Sequence, residues 1–140
     1  TGIGTFTAGA NFDGILSEKF NTTAGKFSDN DNIDLENGMI HFFTTQETTT
    51  TGPNIRYNSS KTLNSMLTTG DSLTVTVVTT AAAAGYAANW RVDGANLTEE
   101  WNGGEAPSEG GSGGYDVYTI TLLKTGNDAY TCLANVSNFA

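Results

Sequence analysis

The sequence predicts an all-β protein: an antiparallel β-sandwich, jelly-roll-like, preceded by an extended N-terminal segment. Three observations carry this expectation. Threonines and aliphatic residues alternate with period two, most clearly where Leu73, Val75 and Val77 share one face and Thr74 and Thr76 the other. Gly-, Asn- and Asp-rich turn signals separate these stretches every 8–15 residues or so. Composition agrees, with 15% charged residues, 17 Gly and abundant Thr. At 140 residues the chain is long enough for one domain with a real core and no stapling by metal or disulfide.

The elements follow in order. Residues 1–35 read as a shaft-like or interface segment. Ile3, Phe6, Phe12, Ile15, Leu16 and Phe20 recur there without a clean period, broken by frequent Gly. The domain proper is expected over residues 36–140. Met39–Thr45 reads as an apolar strand containing His41, followed by a polar loop over Gln46–Pro53 and a strand over Asn54–Ser59. Leu63, Met66 and Leu67 stand at helical spacing, which predicts a helical turn within Lys61–Leu67. Gly70-Asp71 turns the chain into the strand Leu73–Thr79. Tyr86–Val92 reads as a strand, Asp93-Gly94 as a hairpin turn and Asn96–Trp101 as its return. Asn102–Gly114 is a loop with six Gly. Tyr115–Leu123 then places Tyr118, Ile120 and Leu122 on one face and pairs with Ala129–Val136 as a closing hairpin.

Net charge is −9 with six basic residues. That argues against nucleic-acid binding, which needs a basic footprint, and against docking on anionic membranes. No apolar run is long enough for a transmembrane helix. No leader-like stretch opens the sequence and its first residue is Thr1, so a fragment or processed piece is expected.

Groups suited to catalysis are sparse. His41 is the single histidine and Cys132 the single cysteine. His41 lies beside Phe42 and Phe43 in a strand, which suits a structural role. Cys132 alternates with Tyr130 and Ala134, as a small buried hydrophobe would. Glu99 and Glu100 are adjacent on a strand and point to opposite faces, so they cannot flank one sugar as a hydrolytic pair. Asp29, Asp31 and Asp34 alternate as calcium ligands do, but the Gly and distal Glu of an EF-hand are missing. Most of Trp90, Trp101, Tyr86, Tyr115 and Tyr118 are expected in the core. Trp101, next to the Gly-rich loop, is the one expected at the surface. Sequons at Asn21, Asn58, Asn96 and Asn135 matter only in a secretory pathway.

Three stretches carry a resemblance. They are GMIHFFTTQETTTTGPNIRYNSS, the run from GDSLTVTVVTT through TEEWNGGEAPSEGGSGGYDVYTITLLKTGNDAYT, and the ending LANVSNFA. Together, over about Asn32–Ala140, they resemble the C-terminal region of virion structural, tail-fibre-like proteins of marine tailed bacteriophages, notably those infecting cyanobacteria. TGIGTFTAGANF is similar to Gly/Thr/Ala pieces along the fibres of these phages. The resemblance implies a non-enzymatic virion protein on an extracellular particle: the tip domain of a fibre, a homotrimer contacting other virion proteins and attaching to a host-surface glycan or protein. It brings no cofactor and no catalytic residues. Host contact is expected on the loop, through Trp101, Asn102, Glu105, Glu109 and Tyr115. The alternatives are a capsid decoration or head-fibre protein, and a carbohydrate-binding module of a secreted protein.

Overall fold

The structure, a computed structural model, describes Gly4 and residues 6–140. Ile3 lies outside the described residues. Among the described residues ten strands and one short α-helix follow in chain order, with single 3-10 turns at Phe27–Asp29 and Leu35–Asn37: β1 Phe20–Thr23, β2 Asn32–Asp34, β3 Ile40–Phe43, β4 Asn54–Arg56, α1 Leu63–Met66, β5 Ser72–Thr79, β6 Arg91–Val92, β7 Ala95–Asn96, β8 Glu99–Trp101, β9 Tyr115–Gly126 and β10 Ala129–Phe139. They form a six-stranded sheet, β1-β3-β5-β9-β10-β8, and a four-stranded sheet, β2-β4-β6-β7.

The chain is mostly strand, as expected, but the sheets are mixed. Antiparallel pairing holds for β5–β9, β9–β10 and β6–β7. It fails for β1–β3, β3–β5, β2–β4, β4–β6 and β8–β10, all of which are parallel. From β1 to β6 the chain alternates between the two sheets, so it winds like a coil. Phe20 stands beside Ile40, and Ile40 beside Thr76. The second turn is longer because it takes in α1. Parallel strands need a crossover, usually a helix; in the β1–β3–β5 and β2–β4–β6 stacks it is a strand of the other sheet, and between β8 and β10 it is the loop over residues 102–114 with β9. Period-two alternation reports which face a side chain takes and is silent on strand direction, which is why the antiparallel expectation went astray.

Both sheets feed one core. Ile33, Ile55 and Val92 come from the smaller sheet, and Phe43, Val75, Val77, Ile120, Leu122 and Cys132 from the larger. Trp90 is fully buried at the centre, its ring 6.0 Å from those of Phe27 and Tyr118. The expected face of Tyr118, Ile120 and Leu122 is the buried one. Tyr86–Val92 is not a continuous strand: Ala87 makes a single parallel bridge to Thr51, Arg91–Val92 forms β6, and the residues between them run as loop. Asp93-Gly94 does make the tight turn, with φ of 51° and 85°, but its return strand is Ala95–Asn96. Glu99–Trp101 instead joins the larger sheet beside β10.

Residues 1–35 divide. Residues 6–19 carry no strand and are exposed. Residues 20–34 belong to the fold, for they supply β1, β2 and the buried Phe27 and Ile33. Helix α1 is short and held from outside. Thr62 Oγ1 accepts from Ser65 N at 3.1 Å, and the Asp93 carboxylate accepts from Leu63 N and Asn64 N at 2.7 and 2.9 Å.

Candidate binding groove

Trp101 ends β8, paired with Ala134, and Glu100 stands beside Leu133. Across β10, Leu133 pairs with Thr121 and Asn135 with Thr119. These neighbours, with Asn102, line a groove of about 410 Å³ on the larger sheet. Trp101 is half-buried against the core, so its ring is fixed. Asn102 is set by its own backbone, whose N–H donates to Ala134 O at 2.8 Å, and its side chain donates to Asn135 Oδ1 at 3.1 Å. The side chains on the outer face are Glu100, Thr119, Thr121, Leu133 and Asn135, while Trp101, two residues from the inward Glu99 and beside the buried Ala134, turns its ring to the core and borders the groove at the sheet edge. Hydroxyls, amides, one carboxylate and an apolar Leu133 floor in a shallow groove suit a polar ring such as a sugar, which offers apolar C–H faces and hydroxyl edges.

The loop over residues 102–114 is built in two halves. Residues 102–109 are exposed apart from Pro107, which is half-buried. The far half is locked. Gly110 is buried, and its N–H donates to Ala83 O at 2.9 Å. A Cβ on Gly110 would lie 2.4 Å from Ala82 O, and one on Gly114 1.6 Å from Phe139 O. Asp116, buried, accepts from Gly111 N at 3.0 Å and from Asn138 Nδ2 at 2.7 Å. These glycines are therefore sites of close backbone approach as much as of freedom.

The expected contact residues thus separate. Trp101 and Asn102 meet in the groove. Glu105 and Glu109 sit exposed on the free half of the loop. Tyr115 lies elsewhere, in an apolar hollow with Phe20, Ile40, Phe42 and Val78, its ring 6.0 Å from that of Phe42.

The three aspartates do not converge. Asp29 caps Lys26 N at 2.9 Å, Asp31 pairs with Arg91 at 2.6 Å and Asp34 with Arg56 at 2.5 Å. Among the described residues no group of three or more His, Cys, Asp or Glu is placed to hold a metal.

His41 is buried on the core face of β3. Its Nε2 lies 3.1 Å from Gly38 O and its Nδ1 3.4 Å from Asn21 Nδ2. A carbonyl can only accept, so Nε2 carries the proton and Nδ1 accepts from the amide. Burial lowers its pKa from the ordinary 6.5, against the raising effects of the Gly38 carbonyl and Asp34. Burial, with a smaller contribution from Glu99, pushes the Cys132 thiol up to about 12, which leaves it protonated and inert. Glu99 faces inward and accepts from Trp90 N, while Glu100 faces the groove.

Sequence reasoning missed two sites. Glu47 is buried and its carboxylate accepts from Ser28 N, Ser28 Oγ, Thr48 N and Thr49 N at 2.6–2.9 Å. A cavity of about 500 Å³ lies between the β6–β7 hairpin and the β9–β10 turn, lined by Asp93, Asn96, Thr98, Thr125, Asp128 and Tyr130 among others. Each joins two segments distant in sequence, Glu47 with Ser28 and the 92–98 stretch with 125–130, so no single local motif announces them. No family model, curated protein or solved structure among those compared matches the chain.

Proposed function

We propose that this chain is a non-enzymatic structural module of a phage virion, the tip domain of a fibre, assembled as a homotrimer and used for host-surface attachment. In this reading the two sheets make a sandwich whose winding half stacks onto the rest of the fibre and whose hairpin half presents the binding surface. Other virion proteins would be its neighbours on the particle.

The observation that supports it is the construction of loop 102–114. A free half carrying Asn102, Glu105 and Glu109 is held on a base locked by Gly110, Asp116 and Gly114, beside the Trp101 groove. The stretch TEEWNGGEAPSEGG, which carries much of the likeness to phage fibre proteins, runs through this construction. A groove on a fixed sheet beside an adaptable polar loop binds weakly at one copy, because ordering the loop costs entropy, and gains strength when several copies engage one surface. The host ligand fitting the groove is a glycan.

Immunogold labelling of intact particles with an antibody against residues 36–140 tests the placement. Label at fibre or tail ends is expected. Label spread over the head would replace this reading with capsid decoration or a head fibre. Absence of label from any particle would sink the virion reading. A second reading, a carbohydrate-binding module of a secreted protein, is favoured by the same Trp101 groove. It would then be supported by glycan-array binding that Glu100→Ala, a substitution on the exposed face of the groove, abolishes.

A further inference from the structure

Residues 6–19 leave four large apolar side chains in solvent: Phe6 is 70% exposed, Phe12 58%, Ile15 96% and Leu16 73%. They lead directly into β1, an edge strand whose outer backbone has no partner among the described residues. Beside that edge the larger sheet carries the hollow lined by Phe20, Ile40, Phe42, Val78 and Tyr115, about 300 Å³ with wholly apolar walls. Phe20 itself is 58% exposed there. One molecule therefore holds an apolar strip without a seat and an apolar seat without an occupant.

The sequence of the strip shows what it is suited to. Thr7-Ala8-Gly9-Ala10-Asn11-Phe12-Asp13 repeats as Thr23-Ala24-Gly25-Lys26-Phe27-Ser28-Asp29, with Phe moved by one place. Gly9 and Gly25 both take positive φ, 90° and 152°. In the second copy Thr23 ends β1, the chain turns at Gly25 and Phe27 is buried, 4.7 Å from the ring of Phe43. That copy is the corner at which the chain leaves the larger sheet. The first copy has the same corner sequence, but the β1 edge of its own chain does not carry it, and its Phe12 stays in water.

We propose that the strip of one copy seats on the β1 edge and apolar hollow of a second copy of this chain, as a further turn of the winding supplied in trans. The areas fit this occupant. Buried aromatics remove roughly 150–250 Å² each; scaled by their exposed fractions, the four strip residues and Phe20 offer about 600 Å² on a copy whose strip and hollow are both engaged, near the ~800 Å² per partner of a standard interface. Exchange in both directions, or around a closed ring, seats every strip in every hollow. The inference deepens the multimer part of the proposed function and is tested apart from any placement on a particle.

The test is sedimentation velocity of the full chain over a concentration series, with Ile15→Asp in the strip and Val78→Asp in the hollow. Phe20→Asp serves as a second hollow variant, since it is exposed and its replacement spares the core. Near-UV circular dichroism checks that each variant keeps its packed aromatic core. The wild-type chain is expected to associate reversibly, and each variant to weaken association by at least about tenfold. A mixture of Ile15→Asp with either hollow variant should recover association, because an intact strip then meets an intact hollow. A wild-type chain that stays monomeric overturns the proposal, as do variants that associate like wild type. Ile15→Asp lowering the stability of a monomer would also overturn it, by showing the strip seated on its own chain. Self-association with no label on particles would leave this inference standing and remove the virion reading.

Discussion

Glu47 is the side chain on which the corners of the winding converge. It gathers Ser28 from the turn after β1 and the backbone of Thr48 and Thr49, while its own backbone N–H reaches Thr80 O at 2.8 Å. Leaving a buried donor unsatisfied costs about 1–3 kcal/mol, more when the partner was charged. Some of the orphaned donors would find water, so Glu47→Ala should cost about 3 kcal/mol. Urea unfolding followed by circular dichroism would show it as a lower midpoint at unchanged slope; a loss below about 1 kcal/mol would mean the carboxylate is dispensable. His41 gives a second residue-scale expectation. Its folded pKa lies below the ordinary 6.5, because burial favours the neutral ring that accepts from Asn21. The unfolded chain therefore binds the proton more readily. The stability held by neutral His41 is complete above pH 6.5 and is lost as pH falls from there through the lowered folded value. Carboxylates add their own acid sensitivity, so the informative quantity is a difference. His41→Gln keeps a donor for Gly38 and should flatten the fall in stability between about pH 7 and pH 5 relative to wild type. An identical pH slope in both proteins would remove His41 from the account. The strand place of His41 and the burial of Cys132 were legible from their neighbours alone. Glu47 could not be read that way, since Ser28 and Thr80, which close the site around it, come from separate corners of the fold.

At the scale of elements, the β9–β10 hairpin and the β5 strand were legible because their signal is local: alternation plus a tight turn. The turn at Asn127-Asp128 holds Asp128 at φ 50°, a conformation that Asp and Gly tolerate and β-branched residues do not. Asp128→Gly should be close to neutral and Asp128→Val should cost about 1–2 kcal/mol by thermal unfolding; equal effects would mean that the turn does not depend on this backbone state. Strand direction was not legible. The β1–β3–β5 and β2–β4–β6 stacks join residues through the opposite sheet, and neither period nor turn chemistry encodes such a crossover. The loop over residues 102–114 was half legible. Its six Gly read as flexibility, yet Gly110 and Gly114 are Gly because the backbone of another segment lies where a side chain would be. Gly114→Ala should therefore unseat Phe139 and the end of β10, where Gly103→Ala, with open space about it but φ 87°, should cost only the strain of that φ. Hydrogen exchange at Asn138 and Phe139 separates the two: faster exchange is expected for Gly114→Ala alone. Equal protection in both would mean that the loop base is not locked. The same difference explains the scatter of the expected contact residues. Trp101 and Asn102 are placed by β8, Glu105 and Glu109 by the free half of the loop, and Tyr115 by β9, one strand end away from the groove.

The whole molecule carries a net charge of −9 on 140 residues, and every copy repels every other. Association through an apolar strip and hollow must overcome that repulsion. The strip from Phe6 to Lys19 contributes only Asp13, Glu18 and Lys19 as charged groups, and the hollow contributes none. Few attractive ion pairs are therefore available to be screened, while the repulsion between the bodies is long-ranged. Salt shortens its reach to about 8 Å at physiological ionic strength and about 3 Å at 1 M. Raising salt should tighten self-association, by several-fold between low and physiological ionic strength. Sulfate should act more strongly than chloride at equal ionic strength, because it also strengthens apolar burial. Sedimentation equilibrium across a salt series measures both effects on one protein without any substitution. An interface held by ion pairs, such as one running through Arg56 or Arg91, would respond in the opposite sense and weaken as salt rises. The sign of that one slope thus decides whether copies of this chain meet through the unseated strip or through their few cations.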